Sequence, residues 1–253
     1  MGRGEVMTNN KEISYPFTIR LLDFATSFFR EPDYKVKRES TKKFDPLVPE
    51  AYENCRDSLR SGDLLFCGGE AFLSKVIRYF SGKSKVSHVG IIFWWEDRVM
   101  LLESVSPDGV RIIPFSQYVE DYENSGHAYH GRIYIARHTD LNPGSDESAP
   151  ETDVENELVK ALIKKGASLL NKNFGIKDFF AFFKRASLGR GKHLRDNHFV
   201  CSELVERCFN KGIGIEFKGD AGFVAPEHIA MDEKVMAIAE IDGSKGGSAA
   251  ARF

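Results

Sequence analysis

Three apolar runs follow one another closely: SHVGIIFWW (87–95), VMLLESV (99–105) and GVRII (109–113). Only Glu96-Asp97-Arg98 and Ser106-Pro107-Asp108 separate them. Runs this short, rich in β-branched and aromatic residues and joined by turn-forming triplets, leave little choice but an antiparallel meander. RIYIARH (132–138) alternates apolar and polar residues and adds a strand. GDLLF (62–66) opens with a Gly-Asp turn and reads as a strand ahead of the meander, and KVMAIAEI (234–241) as the last one. A sheet of this kind must bury its apolar faces. The expected cover is helical: residues 70–80, with Phe72, Val76, Ile77 and Phe80 near one face, residues 153–170, the four-phenylalanine run 176–187, and residues 200–210. The fold class is therefore α+β, an antiparallel sheet packed against helices.

The chain divides into three parts. Residues 1–57 are expected to form an N-terminal helical extension and linker. In it, 1–15 are disordered, YPFTIRLLDFATSFFR (15–30) is an apolar helix, 35–43 is a basic linker and 48–60 begin a short helix. Residues 58–241 form the main domain. Residues 242–253, ending GSKGGSAAARF, read as a disordered tail.

Composition removes several functions. A net charge of -2 over 253 residues lacks the basic surplus of a nucleic-acid binder. No apolar run approaches the roughly 18 residues of a membrane span, so no integral membrane segment is expected. The N-terminus shows no apolar signal region or cleavage site. Cytoplasmic synthesis is the expectation, with export by a specialised secretion system or a phage as the alternative. The four cysteines form no CxxC pair and are expected to be reduced thiols rather than zinc ligands or a disulfide scaffold. Gly68-Gly69 is not followed by GK[ST], so it is a turn and not a phosphate loop. No metal or other cofactor is called for.

One thiol stands apart. In HFVCSELVERCF (198–209) the apolar spacing starts a helix at or just before Cys201, placing its sulfur in the first turn. There the positive end of the helix dipole favours the thiolate, the form that attacks. Cys208 lies seven residues on, in the helix interior, and reads as core. A catalytic thiol needs a base within hydrogen-bond reach, itself oriented by a third group. Of the seven histidines, His88 stands at the start of an apolar strand with Val89-Gly90 behind it. Glu103 is the only acid in VMLLESV, and an unpaired carboxylate is costly to bury. A hairpin turning about Asp97 brings these two near-opposite, which would leave one imidazole nitrogen for the thiol. Ser87 and Ser202 neighbour the proposed pair and are candidates for tuning it.

SGDLLF, SHVGI, LLESV with a following DGV, and VCSELV together resemble the permuted papain-like amidohydrolases of the NlpC superfamily, in particular the YiiX-like group. The resemblance spans roughly Ser61 to Ile229 and includes APEHIA at 225–230. It implies a circularly permuted papain-like fold, in which the nucleophile helix follows the strands. It also implies the chain order His88 as base, Glu103 as orienter and Cys201 as nucleophile. Related sequences often place a tyrosine near the site where this chain has Phe174. The oxyanion hole would then rest on the backbone N–H of Cys201 and its neighbours, with Phe174 facing the substrate.

The expected function is that of a cysteine hydrolase, a thiol peptidase that cleaves an amide in a peptide or cell-wall fragment through a thioester. Two alternatives remain open. One is a lipid acyl hydrolase or acyltransferase using the same Cys-His site, its phenylalanine-rich helices lining an acyl channel. The other is a non-catalytic binding module of the same fold.

Overall fold

Leu64, Leu65, Phe66 and Cys67 form an unbroken apolar run because the strand that carries them is covered on both faces. Leu64 and Phe66 point to one side with Val89, Ile91 and Leu102, while Leu65 and Cys67 point to the other with Ile92 and Leu101. The alternation of a β-strand sorts the side chains into these two cores. The computed structural model describes residues 42–68, 85–141, 153–175, 198–219 and 224–243. The expected helices at 15–30, 70–80 and 176–187 and the end of the tail lie outside them.

Among the described residues, seven strands make the main sheet: β1 (Pro49–Glu50), β2 (Leu64–Gly68), β3 (His88–Trp95), β4 (Arg98–Val105), β5 (Gly109–Pro114), β6 (Arg132–His138) and β9 (Val235–Ile241). Their order is β1-β9-β6-β2-β3-β4-β5. All neighbours are antiparallel except β1 and β9. The expected meander is β3-β4-β5. A second, two-stranded parallel sheet pairs β7 (Asn173–Phe174) with β8 (His198–Phe199).

One core lies between the sheet and helices α3 (Asp153–Ala167) and α4 (Cys201–Ile213). Leu204, Val205, Cys208 and Phe209 of α4 are fully buried there, the one-sided stripe that a 3.6-residue repeat produces. Over the other face lie α1 (Tyr52–Cys55) and α2 (Ser116–Val119), with Tyr52, Phe115 and Tyr118 buried among Leu65, Ile92 and Ile135. A further helix, α5 (Pro226–Met231), precedes β9.

The segment ahead of Ser61 joins this fold. Phe44 is buried and stacks on Tyr134 with ring centroids 4.7 Å apart. Lys43 Nζ donates to the carbonyls of Asp232 and Val235 at 2.9 and 2.7 Å. Residues 48–60, expected as one helix, instead form β1, the four-residue α1 and a 3-10 turn at Arg56–Ser58. Pairing with β9 draws Pro49–Glu50 into an extended strand, and Ala51, also extended, delays the helix start to Tyr52.

Two ties fix where α4 begins. Ser104 of β4 donates its hydroxyl to the carbonyl of Phe199 at 2.6 Å, two residues before Cys201. The chain after α3 also docks on β5: Val110 N–H donates to Lys172 O at 2.9 Å and Asn171 N–H to Val110 O at 3.0 Å. Gly109 permits that approach. Its φ is +77°, and a Cβ there would stand 2.0 Å from Lys172 O.

Candidate active site

Cys201 is the first residue of α4, preceded by Val200 in extended conformation at the N-cap. Glu203 turns back to accept the Val200 N–H at 3.2 Å, half of the reciprocal arrangement that closes helix starts. The sulfur thus sits in the first helical turn, and Cys201 as a residue is 5% exposed, within the α4-side core cluster.

His88 opens β3, so its ring lies at the rim of the sheet, within reach of groups from the helix side. Its Nε2 is 2.8 Å from Glu103 Oε2. The same ring interacts electrostatically with Cys201. With Nε2 given to the carboxylate, Nδ1 is the nitrogen left for sulfur. Burial alone would lower the His88 pKa. The interactions with Cys201 and Glu103 outweigh it and hold the imidazole well above its ordinary value.

Glu103 is wholly buried, and all its oxygen capacity is directed. Oε1 accepts from Arg111 Nε at 2.9 Å, with a second Arg111 nitrogen at 2.8 Å. Oε2 accepts from the Tyr118 hydroxyl at 2.7 Å as well as facing His88. Burial would raise the carboxyl pKa. Hydrogen bonding and charge from His88, the Arg111 guanidinium and the Tyr118 hydroxyl reverse this and keep it below its ordinary value. The Tyr118 phenol is driven well above its usual range, first by burial and then by the Glu103 charge, so it remains a donor.

A second thiol faces this cluster. Cys67 is the ladder partner of His88 across β2 and β3. Burial pushes its pKa up to about 11 despite His88 and a hydrogen bond with Tyr129, so it stays a neutral thiol. Cys208 and Cys55 are likewise pushed up by burial, to about 12 and about 11.

The structure therefore gathers His88, Glu103 and Cys201. Ser87 is buried with its hydroxyl on Cys67 O at 3.4 Å, not on the imidazole. Ser202 is buried, and its hydroxyl finds no partner among the described residues. Phe174 pairs in register with Phe199, beside the strand that leads into Cys201, and is half-buried. Other histidines are engaged elsewhere. His138 is buried against Phe209 and Phe217, which lowers its pKa, and His228 Nδ1 accepts the Ala225 N–H.

Arg111 and Tyr118 escaped the sequence reading. Arg111 carried a usable signal, because the β4–β5 turn sets it directly across from Glu103. Tyr118 sits in a four-residue helix with no periodicity to betray it.

No family model matches the sequence, and no curated protein matches it. Among solved structures, the chain is similar to the metalloprotein YiiX from Escherichia coli O157:H7. Identity is 17% and the TM-score 0.50, over 71% of this chain and 96% of that one. At that identity the likeness is one of fold: this is a mixed α+β protein with a YiiX-like architecture. Among the described residues, no three His, Cys, Asp or Glu side chains are grouped to hold a metal ion. Glu103 in particular is spent on Arg111, Tyr118 and His88. The described residues thus do not fit a metal at this site. Also among them, no helix is long and apolar enough to cross a membrane.

Proposed function

We propose that the chain is a cysteine hydrolase, with Cys201 as nucleophile, His88 as base and Glu103 as the carboxylate that orients it. One observation carries this reading: a single imidazole is bonded through Nε2 to a buried carboxylate and interacts with the thiol at the start of a helix. That is the constellation of nucleophile, base and orienter that thiol catalysis needs. The chain order of base, orienter, nucleophile supports a circularly permuted papain-like, NlpC-type assignment.

In the proposed reaction the Cys201 proton passes to His88, and the thiolate attacks an amide carbonyl. The carbonyl oxygen becomes an oxyanion facing the Cys201 N–H, which as a first-turn donor has no partner within the helix. Collapse breaks the C–N bond. The amine leaves with the proton from His88, and a thioester remains on sulfur. Water, deprotonated by His88, attacks the thioester, and the acid departs as the proton returns to Cys201. The substrate proposed is a peptide of cell-wall type.

The test is to incubate the full-length chain separately with muropeptides and with phospholipid vesicles, then read Cys201 adducts and products by mass spectrometry. A peptide-derived thioester on Cys201, absent from Cys201→Ala and His88→Ala, is the expected result. A lipid-derived adduct would replace the peptide reading with lipid acyl chemistry. No adduct from either, with unaltered substrates, would leave a binding module.

A further inference from the structure

Glu103 has more partners than an orienting carboxylate requires. Contact with His88 uses one lone pair of Oε2, yet the group is bound from three elements at once. Arg111 on β5 brings two nitrogens to the single oxygen Oε1, Nε at 2.9 Å and Nη2 at 2.8 Å, so that oxygen is held by charge-assisted contacts. Tyr118 on α2 donates to Oε2, the oxygen that also meets His88. Arg111 is itself steadied by Asp108 through its remaining nitrogen. The carboxylate is wholly buried and cannot turn without breaking a charge-assisted bond.

Resting on the thiol-catalysis reading, we propose that Arg111 and Tyr118 are positioning residues. They clamp Glu103 as an ionised carboxylate with Oε2 aimed at His88, and so keep the Cys201–His88 pair poised over a wide pH range. Neither would touch substrate. Their effect reaches sulfur through the carboxylate and the imidazole. When Glu103 takes up a proton, the imidazolium loses its counter-charge and the thiolate loses its partner. The clamp opposes that protonation, because both groups bind only the charged form well.

Among the described residues, the titratable groups facing Glu103 are few. His88 comes from β3, Arg111 from β5 and Tyr118 from α2. Cys67 on β2 and Tyr122, in the turn after α2, lie within electrostatic range. Asp108 acts through Arg111, and Cys201 through His88. Cys67, Tyr118 and Tyr122 are all held neutral by burial. The acidic limb of sulfur reactivity therefore falls to Glu103, His88 and Cys201 as one coupled unit.

The experiment follows carboxamidomethylation of Cys201 by iodoacetamide in the full-length chain, read on its peptide by mass spectrometry from pH 4 to 10. Wild type is expected to react along an acidic limb that His88→Ala displaces. Tyr118→Phe keeps the ring and removes the donor, and should move that limb up by about one pH unit. Arg111→Met should move it at least as far, and Arg111→Lys should recover part of the shift. Thermal melting of each variant reports the fold separately. A limb that stays in place or falls in Tyr118→Phe, whatever happens to the melting temperature, overturns the clamp. A wild-type limb unaltered by His88→Ala overturns the thiol-catalysis reading and the clamp with it. The two failures are thus distinguishable.

Discussion

His88 and Glu103 are diagonal neighbours on one face of the β3–β4 ladder, two residues out of register. Ile91 pairs with Leu102, so Gly90 stands directly across from Glu103. Diagonal partners on a sheet face are about 7–8 Å apart at the backbone, a gap that a long carboxylate and an imidazole span between them. Glycine at the intervening position leaves that space clear.

Gly90→Ala tests the point. A Cβ there would lie 2.8 Å from Leu101 Cδ1, 3.1 Å from Leu102 O and 3.4 Å from Glu103 Cβ. Leu101 is fully buried, and the carbonyl belongs to the ladder, so neither yields readily. The substitution should cost about 1–3 kcal/mol in denaturant unfolding. It should also slow Cys201 alkylation by displacing Glu103.

Glu103→Gln preserves shape while deleting the charge that stabilises the imidazolium. The expected loss is roughly tenfold or more in Cys201 reactivity at neutral pH, since one pKa unit of lost stabilisation corresponds to a factor of ten. Titration of the His88 ring by NMR should show its pKa falling towards or below 6.5, as burial prevails once the carboxylate is neutral. An unmoved His88 titration would contradict this assignment of the pair.

Stability should follow the same two groups. The His88 pKa is raised on folding, so its contribution is complete below about 6.5 and fades as pH climbs towards the folded value. The Glu103 pKa is lowered, so its contribution is complete above about 4.5 and fades as pH falls through the folded value. Together they give a plateau between those limits. Urea midpoints of wild type should decline above the plateau, and His88→Gln should lack that decline.

The thiols should differ sharply in reactivity. Burial holds Cys55 and Cys67 up to about 11 and Cys208 up to about 12. Limited iodoacetamide at pH 6.5 should modify Cys201 first, leaving these three unlabelled until the chain is unfolded. Peptide mapping checks this, and early labelling of Cys208 would refute it.

The meander was legible because the chain punctuates it: three apolar runs and two turns admit one pairing. The register was less so. The β3–β4 turn takes only Glu96 and Asp97, with Trp95 paired to Arg98, which makes the near-opposite pair of His88 and Glu103 a diagonal one. Diagonal positions share a face, so the two side chains meet. Arg111 hid because a charged residue between Val110 and Ile112 looks like ordinary alternation towards solvent. Only the fold reveals that α2 roofs that face and turns it into an interior. Residues 48–60 misled for a non-local reason, the pairing of Pro49–Glu50 with the distant β9, which no spacing within the segment announces.

The position of β9 bears on how the protein is made. This strand lies between β1 and β6, and among the described residues β1 has no other neighbour in the sheet. A nascent chain halted before Val235 would therefore leave Pro49–Glu50 without a ladder and the β6 edge open to pairing with other chains. Lys43 would also lack the carbonyl of Val235. The earliest described residues thus wait for some of the last described ones, and the sheet closes only once Val235–Ile241 has joined it.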